Sequence, residues 1–123
     1  MKRVLLVEDE ANQRLLYQQE LTEEGYEVDV AADGREALDL VEERRPDIVV
    51  LDISMPGMDG IETLGKLLSK DNTIPVILHT AYSSYKDNFM TWSADAYVVK
   101  SSDLTELKSK LNEVLEGREQ AGL

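Results

Sequence analysis

A chain of 123 residues, 42% hydrophobic and 31% charged, is long enough to bury one core without disulfides or metals to staple it. It has no cysteine, so nothing ties it to an oxidising compartment. Its net charge of −12 opposes contact with nucleic acid or anionic lipid, and no apolar run approaches membrane-spanning length. The basic start MKR is followed by a run, Val4 to Val7, too short for a secretory core. The expected setting is cytoplasmic, neither exported nor embedded.

Val4 to Val7 is the first uninterrupted apolar run and reads as a strand buried on both faces, followed at once by Glu8, Asp9 and Glu10. A helix with only a weak apolar stripe is expected from Ala11 to Glu24, with Gly25 as a left-handed cap. Val28 to Val30 alternates with polar residues, as an edge strand does. Asp33 and Glu36 have the spacing of a capping box opening a helix with Ala37, Leu38 and Val41 on one face.

Pro46 precedes the run Ile48 to Leu51, which ends at Asp52. The loop MPGMDG has tight-turn residues in Pro56, Gly57 and Gly60, and Ile61, Leu64, Leu67 and Leu68 then recur at helical period. Pro75 precedes Val76 to Leu78, after which come His79 and Thr80; His79, the lone histidine, is expected as a strand residue at the sheet edge. The segment Tyr85 to Trp92, with Phe89, Met90 and Trp92, fits either packing beneath a loop or an exposed patch for dimerisation or docking. Ala96 to Val99 ends at Lys100. Leu104, Leu107, Leu111, Val114 and Leu115 mark the last helix, which Gly117 is expected to close. One domain over 1–117 with a tail or linker start at 118–123 follows.

Strands alternating with helices imply a parallel sheet with right-handed crossovers. Five such units in this length fit a single (βα)5 α/β domain, a flavodoxin-like doubly wound sheet of strand order 2-1-3-4-5. Ligands of open α/β sheets bind beyond the carboxyl ends of the strands, where this chain places Glu8, Asp9, Asp52, Thr80 and Lys100. Gathered carboxylates repel unless a cation lies between them, and hard oxygen donors without cysteine or a histidine pair favour Mg2+. A carboxylate there can attack phosphorus, with Asp52 as nucleophile and Lys100 and Thr80 meeting the charge of the phosphoryl group.

The strings VLLVEDE, RPDIVVLDISMPGMDGIE, PVILHTA and ADAYVVK, at these spacings, resemble the response-regulator receiver family over essentially the whole chain. The resemblance implies a phosphoacceptor in two-component signalling rather than a turnover enzyme, catalysing its own phosphotransfer and a slow autodephosphorylation. By that resemblance, Asp52 takes a phosphoryl group from a sensor histidine kinase or histidine phosphotransfer protein. Glu8, Asp9, Asp52 and the backbone carbonyl of Ser54 hold Mg2+, and Thr80 and Lys100 bind the phosphoryl group. Ala81 keeps the pocket open, Tyr82 overhangs it, and Tyr97 turns inward as Thr80 moves. Output would pass through the face of the fourth helix, fifth strand and fifth helix to an output domain or downstream protein, or to a homodimer.

Three positions depart from the family pattern. Ser101 follows Lys100 where proline with a cis peptide is usual, so a trans bond is expected, since a non-proline cis bond costs roughly 2.5–4 kcal/mol. Glu8 stands where the family favours aspartate, a common variant whose extra methylene is expected to change direct metal contact to water-mediated contact. Tyr82 is bulky and uncharged, which predicts slow self-dephosphorylation. Of three rivals, two lack residues they need. A haloacid-dehalogenase-like phosphatase needs a second aspartate where Ser54 stands, and a flavodoxin needs amide donors where the first loop is acidic. The third is a phosphorylation-independent pseudo-receiver used as a protein-binding module.

Overall fold

The computed structural model describes residues 1–53, 60–81 and 94–121. Five parallel strands, β1 (Arg3–Val7), β2 (Glu27–Ala31), β3 (Ile48–Leu51), β4 (Val76–Thr80) and β5 (Ala96–Val99), lie in the order β2-β1-β3-β4-β5. This is the expected doubly wound order. Register aligns Val7 with Leu51, Leu51 with Leu78 and Thr80 with Val99, so the carboxyl ends of four adjacent strands finish at one level.

Side-chain alternation along each strand makes two cores. On one face Leu5, Val7, Val49, Leu51, Val76 and Leu78 pack against Ala37 and Val41 of α2 (Gly34–Glu43) and Leu64 and Leu67 of α3 (Gly60–Lys70). On the other, Val4, Leu6, Ile48, Val50, Ile77 and Val98 meet Tyr17 and Leu21 of α1 (Ala11–Glu23) and Leu107, Leu111 and Leu115 of α4 (Thr105–Ala121). Burying each such aliphatic side chain contributes roughly 1.5–3 kcal/mol, so the β-branched runs and the helical stripes together select this layering.

Local signals mostly act as expected. Gly25, at φ +96°, closes α1: its amide donates to the Thr22 carbonyl and that of Tyr26 to Leu21, a Schellman arrangement. The capping box at α2 is looser than the spacing implies. Asp33 Oδ1 accepts from the Glu36 amide at 2.8 Å, but the Glu36 carboxylate accepts from Ala32 at 3.4 Å rather than from Asp33. β2 is an edge strand whose Glu27 and Asp29 pair with Arg3 and Arg44, charges that discourage further strand pairing.

Three expectations change. β4 continues through His79 and Thr80 because their amides and carbonyls still find partners on β5, so Thr80 is the strand's last residue and not its successor. His79 is accordingly not at an edge; it lies between β3 and β5 and is buried. Gly117 does not close α4, which runs on to Ala121, since a glycine within a helix merely weakens it. No peptide among the described residues is cis, so Lys100–Ser101 is trans as expected.

Candidate functional site

The site is built where β1, β3 and β5 release their chains. Glu8 follows β1 and is 2% exposed, Asp52 follows β3 and is 5% exposed, and Asp9 stands at the surface beside them. A carboxylate oxygen from each of the three lies within 4.8 Å of the others, an arrangement able to hold a metal ion. Lys100, leaving β5, turns its ammonium into this cluster, with Nζ 2.6 Å from Glu8 Oε1 and 3.0 Å from Asp52 Oδ2. Three carboxylates against one ammonium leave an excess of negative charge.

Burial raises the Glu8 pKa above its ordinary value, against the pull of the Lys100 ammonium. Burial alone would lower the Lys100 pKa, but the hydrogen bond to Glu8 and the charge on Asp52 outweigh it, and the lysine stays above its usual value. Lys100 is therefore a fixed cation. Its backbone amide donates to the carbonyl of Thr80 at 2.7 Å, which ties the end of β5 to the wholly buried threonine at the end of β4.

Glu10, grouped with Glu8 and Asp9 by sequence, has another use. Its side chain accepts from the amides of Asn12 and Gln13 and caps α1. Ala81 is exposed just beyond β4, and Tyr97 is half-buried on edge strand β5, opposite Leu78 and against the α2 and α3 side of the core. Ser54, Tyr82 and the Tyr85 to Trp92 segment lie outside the described residues.

Four neighbours of the site were given no part in it by the sequence. Gln13 Oε1 accepts from Lys100 Nζ at 2.7 Å, and the Tyr17 ring centroid is 5.9 Å from that nitrogen. Arg14 donates to the carbonyls of Glu8 and Asp9 at 3.0 and 3.4 Å, holding the acidic turn against α1. Gly60 begins α3 against the backbone of Ile53: an added Cβ would sit 1.9 Å from its Cα and 2.6 Å from the Asp52 carbonyl oxygen. The weak stripe of α1 was the available signal for Gln13 and Tyr17, because inward polar residues interrupt it.

The family model for the response regulator receiver domain matches residues 4–112. The chain belongs to the response regulator receiver family. This receiver is 38% identical over 92% of its length to response regulator MprA of Mycolicibacterium vanbaalenii, matching 50% of that protein; it spans about half the length of the curated relatives it matches. Response regulator protein TrrA of Thermotoga maritima, solved in complex with Mg2+-BeF, is 48% identical, with a TM-score of 0.89 over 92% of this chain and 98% of that one. TrrA in complex with histidine kinase ThkA superposes with a TM-score of 0.88 at 48% identity, covering 94% of this chain and 99% of that one. A CheY-like receiver from Methanospirillum hungatei is 32% identical with a TM-score of 0.92, covering 98% of each chain. The receiver thus takes part in two-component signal transduction. No described helix is long and apolar enough to cross a membrane.

Proposed function

We propose that this receiver is a phosphorylation-dependent switch whose Asp52 accepts a phosphoryl group from a phosphohistidine of a sensor kinase or phosphotransfer protein. The observation that carries the reading is the half-buried Lys100 ammonium shared between the buried carboxylates of Asp52 and Glu8, beside a three-carboxylate cluster. An Asp52 carboxylate oxygen attacks phosphorus; the new O–P bond forms as the N–P bond breaks, and the electron pair leaves with the donor imidazole. Lys100 then moves its hydrogen bond from Asp52 toward the transferred oxygens, and the Thr80 hydroxyl supplies a second donor.

The cluster offers only hard oxygen donors with surplus negative charge, which fits Mg2+. Glu8, Asp9, Asp52 and the Ser54 carbonyl would hold the ion, which supplies charge neutralisation when bound. The Glu8 oxygen already engaged by Lys100 favours a water-mediated place for that residue. The existence of a solved Mg2+-BeF complex and a kinase complex for a relative supports both the ion and the donor. Thr80 and Tyr97 then bias the output face of β5, the last helix α4 and the helix expected between β4 and β5, which lies outside the described residues; an output domain, a downstream protein or a second copy reads that face. Ala81 leaves the phosphoryl group reachable, and Tyr82 slows attack by water.

Incubation with Mg2+ and acetyl phosphate, read by intact mass, tests this. Wild type gains one phosphoryl mass and Asp52→Asn none; no gain in wild type would leave a phosphorylation-independent binding module. In the same assay Tyr82→Glu loses the group faster than wild type, and equal decay would sink the shielding role of Tyr82.

A further inference from the structure

The Lys100 ammonium has three N–H donors and no acceptor, so each partner must present an oxygen. Two of its partners are the buried carboxylates of Glu8 and Asp52, and the third is the amide oxygen of Gln13 at 2.7 Å. Gln13 is itself held. Its backbone amide donates to the Glu10 carboxylate at 2.7 Å, in the first turn of α1, and its Oε1 also lies 3.4 Å from the Tyr17 hydroxyl. Tyr17 is 5% exposed and packs at 5.1 Å, ring centroid to centroid, against the buried His79 of β4. One amide oxygen is thus fixed by a capped helix and a buried ring while it grips the lysine.

We propose that Gln13 is a positioning residue for phosphoryl transfer: its neutral oxygen is the pivot on which Lys100 swings between Asp52 and the incoming phosphoryl group. The inference rests on the proposed phosphorylation of Asp52. Carboxylate contacts compete with the phosphoryl oxygens for the ammonium, and the contact to Asp52 must break as the carboxylate becomes an acyl phosphate. Gln13 has no charge to lose and no part in the transfer, so its hydrogen bond persists in both states. It keeps the flexible four-carbon stem of Lys100 from wandering when the bond to Asp52 goes. A positioned amine lowers the barrier because its ordering is completed before the reaction begins.

The test uses Gln13→Met, which keeps length and helix propensity but removes the acceptor. Mg2+ affinity and the rate of phosphorylation by acetyl phosphate are measured on the whole chain. A hydrogen bond to a charged group corresponds to about a tenfold rate loss in Gln13→Met. Its Mg2+ affinity should stay at the wild-type value, as it would not if the substitution simply disordered the acidic turn. A wild-type rate in Gln13→Met, or a parallel loss of Mg2+ affinity, would overturn the positioning role while Asp52 phosphorylation stands. No phosphoryl gain in wild type overturns both readings.

Discussion

The two faces of the sheet differ most at their upper ends. On the α2 and α3 side the core is apolar up to Leu51, Ile53 and Leu78. On the α1 and α4 side the aliphatic layer gives way to Tyr17, His79, Gln13 and Lys100. The first face positions Asp52 by packing the strand that delivers it. The second surrounds Lys100 with polar and aromatic groups, and α1 loses its regular stripe as a result. Stability and chemistry are therefore unevenly divided, and substitutions can separate them.

Core truncations should have the largest effect and be alike on the two faces. Leu64 and Leu111 are both fully buried, and each change to alanine should cost roughly 2–5 kcal/mol by urea denaturation. If Leu111→Ala costs much less, the polar cap has loosened its side of the core and the faces differ below the site as well. Next comes Gly60→Ala, on the apolar face alone. The added methyl cannot fit against the Ile53 backbone without moving α3, and overpacking of this kind costs about 1–3 kcal/mol or more. An unchanged melting temperature would mean that α3 docks more loosely than its close approach indicates.

The polar face has its own acid sensitivity. Burial holds the His79 pKa down to about 4 from 6.5, and the Lys100 charge adds to the effect. The unfolded chain therefore takes up this proton first as pH falls, and stability drains between pH 6.5 and about 4, by about 3 kcal/mol in full. Above that window His79 is neutral in both states and contributes no slope. Glu8 acts oppositely: its raised pKa lets the folded state take up a proton first, which partly offsets the loss. In His79→Asn the acid slope should flatten relative to wild type in pH-dependent melts; an identical slope would show that ring to be hydrated.

Strand order, both core faces and the meeting of Glu8, Asp9, Asp52 and Lys100 were legible in the sequence, because period and strand-end position are local properties that the sheet merely aligns. The extent of β4 was not. Thr80 looks like loop chemistry, and only pairing with β5 makes it the last residue of the strand; His79 reads as strand, but not as one buried between two neighbours. Gln13 was invisible for a related reason: a glutamine on a helix has a ligand only when a lysine 87 positions away comes to it. Gly60 reads as a turn residue, whereas its closest constraint is the neighbouring chain at Ile53.

The smallest effect expected concerns α1 and separates its two roles. Leu15 and Leu16 are 64% and 50% exposed, while Tyr17 and Leu21 of the same helix are buried. Each outward leucine already retains much of its contact with water, so Leu15→Ser should change stability by less than about 0.5 kcal/mol. Leu16 borders a recess of about 240 Å³ with Ser102, Asp103, Leu104 and Thr105 at the start of α4, so Leu16→Ser should cost slightly more. Urea melts of both variants decide the matter. A loss near that of Leu111→Ala would place the outward leucines in the core and remove the contrast between the two sides of α1. A negligible loss leaves α1 as a helix whose inward positions serve Lys100 and whose outward leucines add little to the fold.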